Sequence, residues 1–205
     1  IFHGFVSHAS GSQHHKTIDL AAAFQEIYQK MIPGFHFRRI EINIDIQEAL
    51  PPLLMPIDVL NKIVEGLIKN AIENTPDQGR IDISAQIRDK GILFRVHDFG
   101  VGIKPDDQKR IFEGFFTTQE TLLYSTKTPF DFNAGGKGAD LLRMKLFSDR
   151  LGFTIHLDSR RCCYLLENKG EACPGDILNC KFCTCREDCL ASGYTLFSVF
   201  FPNER

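Results

Sequence analysis

The stretch HDFGVGI, residues 97–103, decides how this sequence is interpreted. It closes the segment GILFRVHD (91–98), in which apolar and polar residues alternate as in a half-buried strand. Asp98 therefore stands at the end of a predicted strand, where its carboxylate can accept a hydrogen bond from an amine. Gly100 and Gly102 follow, and because they carry no side chain they let the backbone approach a flat ring closely. The pattern Asp-x-Gly-x-Gly predicts a ligand site at this strand end.

Three better-known nucleotide motifs do not fit the sequence. The Asp-Phe-Gly triplet of protein kinases needs a Gly-rich loop, a strand lysine and His-Arg-Asp before it, and the sequence before His97 contains none of these. The segment GGKGAD (135–140) lacks Ser or Thr after Lys137, and it lacks the Gly that a Walker loop has five residues before Gly136. It also lacks the third glycine of the dinucleotide-binding pattern.

Hydrophobic spacing predicts the elements that precede the loop. A helix is predicted in IDLAAAFQEIYQKM (18–31) and a strand in FHFRRIEINID (35–45). The prolines of ALPPLLMP (49–56) argue against a regular element there. Pro56 opens a second helix, over residues 57–74. The predicted apolar face of this helix consists of Ile57, Leu60, Val64, Leu67, Ile68 and Ala71.

The middle of the chain contains a predicted hairpin and a long irregular segment. Residues 80–89 and 91–98 alternate strongly and are joined by a short turn, which is typical of a hairpin. A short helix is predicted around Ile111. Residues 116–136 show no periodicity, and a loop of that length inside a domain is usually functional or disordered.

The remaining elements define the fold class. GADLLRMKLFSDRLG (138–152) predicts a helix on the spacing of Leu141, Leu142, Lys145 and Leu146, ending near Gly152. FTIHLDS (153–159) and YTLFSVFF (194–201) predict two more strands. Helices crossing mainly antiparallel strands predict the α+β class, as a two-layer α/β sandwich with a mixed sheet.

Composition limits the classes of function. The net charge is −2 and the basic residues are scattered, which argues against a nucleic-acid partner. No apolar run approaches the ~18 residues of a membrane helix. Residues 1–17 are predicted to be a linker or the remnant of an upstream helical region, and residues 18–205 one domain. The start at Ile1 favours a piece of a longer protein.

Four blocks carry the chemistry of a nucleotide site. Asn70 lies on the second predicted helix, and its amide oxygen suits magnesium, a hard cation. Asp98 can accept from an exocyclic amine such as that of adenine. Gly100 and Gly102, the third block, let the backbone pass close to a flat ring. Further on, Gly135, Gly136 and Gly138 run straight into a helix, whose free amides and positive dipole end favour phosphate.

These blocks resemble the ATP-binding catalytic domain of sensor histidine kinases, within the group that includes gyrase, Hsp90 and MutL. LIKNAIENTPDQGRIDI (67–83) resembles the N box and HDFGVGI the first glycine box. IFEGFFTT (111–118) resembles the phenylalanine box and GGKGADLLRMKLF (135–147) the second glycine box. SGYTLFSVFFP (192–202) resembles the closing strand. The order matches from about residue 18 to residue 202.

The resemblance implies a Bergerat-type sandwich that binds Mg-ATP beneath a lid at about residues 116–137. Asn70 would be the catalytic magnesium ligand, and Asp98 would read adenine. The residues that would bind the nucleotide are Asn70, Asn74, Asp98, Gly100, Gly102, Ile103, Phe112, Phe116, Gly136, Lys137, Gly138 and Thr195. For Phe112 and Phe116, which would seat the lid, core packing is an equal alternative.

The resemblance also implies a reaction and its partners. The domain would transfer the γ-phosphate of ATP to a histidine on an upstream dimerisation domain, and a response regulator receiver domain would follow. FVSHASG (5–11) lacks the Glu-Leu-(Arg/Lys)-x-Pro that usually follows the acceptor, so the acceptor is expected outside this chain. The domain itself is expected to be cytoplasmic and free of membrane contact, within a parent that is soluble or membrane-anchored.

Three departures from the family pattern leave a second function open. Gly66 stands where relatives carry Asn or Glu, four residues before Asn70. Gln119 stands where a Lys near the γ-phosphate is frequent, and the second glycine box reads GKGADL. A nucleotide-binding switch with little kinase activity is therefore the alternative.

All seven cysteines lie between Cys162 and Cys189, inside a predicted insertion at residues 160–192. The Cys180-x-x-Cys183 pair, flanked by Cys173 and Cys189, favours zinc, with an iron–sulfur cluster as the rival. The possible substitute ligands are Cys162, Cys163 and Cys185. A reduced, metal-free loop is the remaining interpretation. A metal or redox sensor on an ATPase-like scaffold is thus a third function. The insertion is distant in sequence from the ATP blocks, so a structural or sensory role is expected.

Overall fold

The computed structural model describes residues 17–113, 139–168 and 170–203. The predicted linker up to residue 16 lies outside them. The predicted lid, with Phe116, Gly136 and Lys137, and the neighbouring Gly138 also lie outside the described residues. Their predicted roles therefore stay predictions.

A five-stranded sheet forms one layer of the fold. Two short strands, β1 (Thr17–Ile18) and β3 (Leu53–Leu54), pair with each other apart from it. The strands of the large sheet are β2 (Glu41–Ile46), β4 (Arg80–Arg88), β5 (Gly91–Asp98), β6 (Thr154–Arg160) and β7 (Tyr194–Pro202). Their order is β2-β4-β5-β7-β6, and only β2 and β4 run parallel. The predicted α+β class with a mixed, mainly antiparallel sheet is confirmed.

Helices form the second layer and fill the insertion. The helices are α1 (Leu20–Phe35), α2 (Ile57–Asn74), α3 (Pro105–Gln108), α4 (Ala139–Leu151), α5 (Cys163–Glu167) and α6 (Arg186–Ser192), with a 3₁₀ turn at Ile177–Asn179. The core lies between α1, α2 and the sheet, where the rings of Phe24 and Phe94 are 6.1 Å apart. Among the described residues, no helix combines the length and apolar character needed to cross a membrane.

Local sequence signals placed α2 and the hairpin correctly. α2 spans the predicted residues 57–74, with Pro56 as its N-cap, and β4 and β5 pair antiparallel as predicted. The prediction is wrong for one member of the apolar face, because 45% of the surface of Ile57 is exposed. It lies in the first turn, ahead of the part of the helix that packs on α1 and β5.

Four other local predictions are corrected by tertiary contacts. α1 continues through Pro33 to Phe35, because Phe35 is buried and packs on Tyr28, so the next strand begins only at Glu41. The proline-rich segment contains β3, which the pairing with β1 holds. The short helix is α3, which ends before Ile111. On α4, Met144 is buried whereas Leu146, a member of the predicted face, is exposed.

Arg38 binds the C-terminal end of α2 and the residues that follow it. Its guanidinium donates to the carbonyls of Ile72 and Thr75 and to the Asp77 carboxylate, at 3.0, 2.8 and 2.7 Å. Both charged side chains are buried, with 5% and 2% of their surface exposed. The ion pair thus fixes the connection from α2 to β4.

Replacing Arg38 with Met should lower the free energy of unfolding by about 3 kcal/mol, because it leaves a buried carboxylate and two carbonyls without their donor. Urea denaturation followed by circular dichroism measures this. Lys30→Met, which removes the exposed Glu26–Lys30 pair, is the matched control and should change little. Equal losses in the two variants would contradict the assigned role of Arg38.

Candidate functional site

Asp98 lies buried at the end of β5, with only 4% of its surface exposed. It faces Thr195 of β7 in the sheet register. The Gly100 N–H donates to Asp98 Oδ1 at 3.2 Å. Burial raises the pKa of Asp98 well above its ordinary value, and the Gly100 N–H and the nearby Thr195 hydroxyl oppose the rise. A carboxylate accepts about four hydrogen bonds, so Asp98 retains capacity for a ligand donor.

The two glycines after Asp98 are required by the protein's own backbone. A Cβ at Gly100 would lie 2.1 Å from the Asn74 carbonyl oxygen, which also accepts from the Val101 N–H at 3.0 Å. Gly102 has φ +62°, and a Cβ there would lie 1.9 Å from the Arg160 carbonyl oxygen. The sequence predicted close approach to a ligand ring. The structure shows that these glycines also let the ends of α2 and β6 approach the loop.

Two residues that sequence reasoning missed hold the far end of the loop. Ser159 Oγ accepts from the Ile103 N–H at 2.9 Å and donates to the Tyr194 carbonyl at 2.7 Å. Gln108 donates to the carbonyls of Ile103 and Ser159 at 2.9 and 2.8 Å. Neither residue belongs to a recognisable motif, so no local signal could have identified it. Together they join the loop to β6 and α3.

Asn70 and Asn74 lie one turn apart on the half-buried side of α2. The Asn74 side-chain amide donates to the Asn70 carbonyl at 2.8 Å, so it stabilises the last helical turn. The Asn70 side chain provides an amide oxygen, a ligand type that suits magnesium. The side chain of Asn70 therefore fits the role of a magnesium ligand.

Two other predicted positions have structural roles. Phe112 is partly buried and packs against the main core, which is the alternative that the sequence left open for it. A Cβ at Gly66 would lie 2.3 Å from Met144 Cε, so the end of the Met144 side chain on α4 occupies this space. Because Gly66 has no side chain, the apolar side chain of Met144 can pack against α2 at this position.

The insertion between β6 and β7 packs against the loop that follows Asp98. The Cys162 N–H donates to the Val101 carbonyl at 2.9 Å, and the Arg161 guanidinium donates to the carbonyls of Val101 and Gly102 at 3.3 and 3.1 Å. The insertion is therefore distant from this loop in sequence but not in space, and its expected structural or sensory role stays a prediction. The insertion is a direct neighbour of the Asp-x-Gly-x-Gly loop.

The insertion also docks on the connection from α2 to β4. The Asp77 N–H donates to the Gly175 carbonyl at 3.0 Å, and the Ile177 N–H donates to the Asp77 carbonyl at 3.1 Å. Arg186 donates to the Gln78 carbonyl at 2.7 Å. These contacts join the insertion to the connection between α2 and β4, which Arg38 also contacts.

The cysteines divide into two groups. One small cavity of about 30 Å³ is lined by Cys162, Cys173, Cys180, Cys183 and Cys189. Cys163 and Cys185 are exposed, and all seven are free thiols. In the described parts of the chain, no group of three or more His, Cys, Asp or Glu side chains already has the arrangement of a metal site. The predicted ligands Cys173, Cys180, Cys183 and Cys189 are thus gathered, but not arranged for a metal.

Sequence comparisons place this geometry in a known family. The profile of the family described as "Histidine kinase-, DNA gyrase B-, and HSP90-like ATPase" matches residues 56–202. The adaptive-response sensory kinase SasA of Gloeothece citriformis (strain PCC 7424) is 32% identical over 50% of this chain and 26% of its own length. Sporulation kinase E of Bacillus subtilis (strain 168) is 32% identical over 40% of this chain and 11% of its own length. The chain thus spans about a quarter or less of these relatives.

Solved structures show the same fold. The catalytic domain of histidine kinase ThkA matches with a TM-score of 0.62 at 18% identity, over 92% of this chain and 95% of that chain. The mycobacterial sensor histidine kinase MprB matches with a TM-score of 0.61 at 16% identity, over 93% of this chain and 100% of that chain. With the profile match across α2, the Asp98 loop and β7, these findings agree with the resemblance seen in the sequence. The chain belongs to the histidine kinase-, DNA gyrase B- and HSP90-like ATPase family, and the solved structures described above, which share its fold, are histidine kinases.

Proposed function

We propose that this chain binds Mg-ATP and transfers the γ-phosphate to a histidine on a dimerisation domain that precedes it in the parent protein. The observation that carries the proposal is the buried Asp98 carboxylate, held by Gly100 and Thr195 at the end of β5. A buried carboxylate with remaining acceptor capacity suits the exocyclic amine of adenine. Family membership supports ATP as the nucleotide.

The adenine end would be built from four of this chain's residues. Asp98 would accept from the amine of the base, and Thr195 would orient the carboxylate. Ser159 and Gln108 would act as positioning residues, because they hold Ile103 and so the end of the glycine loop. An Asp side chain at the end of a central strand, next to a loop held at both ends, loses little conformational freedom on binding.

Magnesium would be held by the side-chain oxygen of Asn70. When bound, the ion neutralises charge on the phosphates, and phosphoryl transfer depends chiefly on such neutralisation and on positioning. The contribution of this chain is to hold Asn70 on a packed helix and Asp98 on a central strand. The predicted phosphate-binding residues Gly136, Lys137 and Gly138 complete the proposal.

The partners are inferred from the relatives. ThkA was solved in complex with the response regulator protein TrrA, and its chain there matches ours with a TM-score of 0.60 at 16% identity, over 92% of our chain and 42% of that chain. We propose by analogy that a receiver domain takes the phosphate from the parent of this chain. A cytoplasmic position of the domain, in a soluble or membrane-anchored parent, is part of the same proposal.

Two alternatives rest on specific observations. The Met144 side chain occupies the space beside Gly66, which favours a nucleotide-binding switch with little kinase activity. The gathered thiols of the insertion favour a metal- or redox-sensing module, with zinc as the metal and an iron–sulfur cluster as the rival.

Titration calorimetry with Mg-ATP tests nucleotide binding by this chain directly. Saturable binding near one equivalent supports the proposal, whereas no heat from a folded chain overturns it. Labelled ATP supplied to a longer protein that includes the upstream domain then separates kinase from switch. Acid-labile, base-stable phosphoprotein supports the kinase, and its absence despite ATP binding supports the switch.

A further inference from the structure

The cysteine cavity lies directly behind the loop that the nucleotide would contact. Its wall includes Gly100 and Val101 together with the five thiols. Val101, Leu165, Cys162 and Cys173 also form a small apolar cluster separate from the main core. One side of the loop therefore faces the proposed adenine site, and the other side faces sulfur.

The sulfur atoms come from separate parts of the insertion. Cys180 and Cys183 follow the 3₁₀ turn, Cys189 lies on α6, and Cys173 lies in the loop before the turn. All four residues line the same cavity. Only the tertiary fold brings these four positions together.

We propose that Cys173, Cys180, Cys183 and Cys189 bind one Zn²⁺ as four thiolates, and that this site supports the Gly100–Gly102 loop and thereby ATP affinity. Four thiolates around one cavity suit tetrahedral zinc. Binding releases the four thiol protons to solvent and involves no change of oxidation state. The second half of the proposal rests on the proposed ATP function.

In the described residues these thiols line the cavity but are not in the arrangement of a metal site, so they must move closer together to bind one ion. The buried Arg161 guanidinium, next to Cys162 in the chain, adds a positive charge near a site that would be anionic.

Support of the loop would pass through contacts already present. Cys162 and Arg161 donate to the carbonyls of Val101 and Gly102, and the backbone of Gly193 lies against Cys162 and Gly100. A bound metal would tie the cysteine-bearing segments of the insertion to one another, and it would add to the apolar cluster and to the hydrogen bonds with Asp77 and Gln78 that already hold the insertion. We therefore expect removal of zinc to loosen the loop rather than to unfold the sheet.

The first test is the metal content of the whole chain, prepared reduced, in zinc-supplemented medium and without chelator. Elemental analysis should give about one equivalent of zinc. Serine variants of Cys180, Cys183, Cys189 and Cys173 should each lose most of it. Cys162→Ser and the exposed-thiol controls Cys163→Ser and Cys185→Ser should retain it. Because a ligand variant can misfold, Co²⁺ is added to stripped wild-type chain, where tetrahedral thiolate bands are expected.

Each result decides one part of the proposal. If the chain contained no zinc and gave no thiolate bands, the proposed site would be wrong. Loss of zinc in Cys162→Ser would show that the ligand set is wrong. Iron with visible absorption in place of zinc would show that the metal is wrong.

The coupling between the zinc site and ATP affinity is tested by calorimetry, which compares Mg-ATP binding to zinc-loaded chain and to stripped chain after the chelator has been removed. Stripping should weaken binding about tenfold, within the usual range of coupling between sites. Equal affinities would overturn the coupling, and no ATP binding to zinc-loaded chain would overturn the proposed function while leaving the metal site intact.

Discussion

Asp98→Asn should weaken Mg-ATP binding at least ~100-fold while it raises the stability of the nucleotide-free chain at neutral pH. The amide keeps the shape of the carboxylate but loses its charge, and it can turn a donor towards the amine of adenine. Losing a charge-assisted buried hydrogen bond and leaving the base amine unpaired costs about 3 kcal/mol, or about two decades in affinity. Titration calorimetry measures this loss.

The gain in stability follows from the pKa of Asp98. Burial raises this pKa in the folded state, so the fold favours the protonated acid. The stability contributed by Asp98 is therefore fully present below the unfolded pKa of about 3.9, and it is lost as the pH rises through the raised folded pKa. Asn carries no charge at any pH. The variant should thus unfold at a higher temperature than wild type at pH 8, and the difference should shrink at pH 5.5.

Two controls make the Asp98 result specific. Asp45→Asn changes the same charge at an exposed position on β2, and it should alter neither ATP binding nor stability. Inosine triphosphate, which has a carbonyl in place of the adenine amine, should bind wild type weakly. It should bind Asp98→Asn better than ATP does, because the Asn amide can donate to that carbonyl. If Asp98→Asn bound ATP as wild type does, adenine would not be read by Asp98.

Gly102→Ala should lower the free energy of unfolding by about 3 kcal/mol or more. The added Cβ would lie 1.9 Å from the Arg160 carbonyl oxygen, and neither backbone can move without breaking contacts at the end of β6. The φ of +62° adds strain, which is about 1–2 kcal/mol for a residue with a Cβ. Overpacking contributes a further 1–3 kcal/mol by order of magnitude. Urea denaturation followed by circular dichroism gives the value.

The chain contains a matched control for this prediction. Gly152 also has a positive φ, of +76°, but no atom lies within 4 Å of the position of its Cβ. Gly152→Ala therefore adds only the backbone strain, about 1 kcal/mol. The difference between the two variants isolates the close approach of β6 to the loop. Losses of equal size would show that this approach does not constrain the loop.

Most of the proposed nucleotide site could be predicted from the sequence. Asp98 follows a strand with clear alternation, and Asn70 lies on a helix with regular apolar spacing that Pro56 opens. Such signals are local, since each depends on residues within a few positions of one another. Ser159 and Gln108 could not be predicted, because Ser159 bonds to Tyr194 on β7 and Gln108 bonds to Ser159 on β6, and such polar residues are common.

The same distinction explains the corrected elements. α1 extends past Pro33 because Phe35 is buried in the main core, and β3 exists because β1 pairs with it. Gly66 accommodates Met144, which lies far along the chain on α4. In each case a contact between separate segments outweighed a local preference of about 1 kcal/mol or more.

The sequence by itself determined the main helices, the strands of the sheet and the order of the motifs that carry ATP chemistry. Periodic burial and turn residues are local, and they suffice for this. Only the tertiary structure decided which five cysteines meet and that they meet behind Gly100 and Val101. It also decided that Gly100 and Gly102 leave room for the backbone carbonyls at the ends of α2 and β6. The physical reason is that packing and hydrogen bonding between distant segments depend on three-dimensional distance, which no spacing along the chain records.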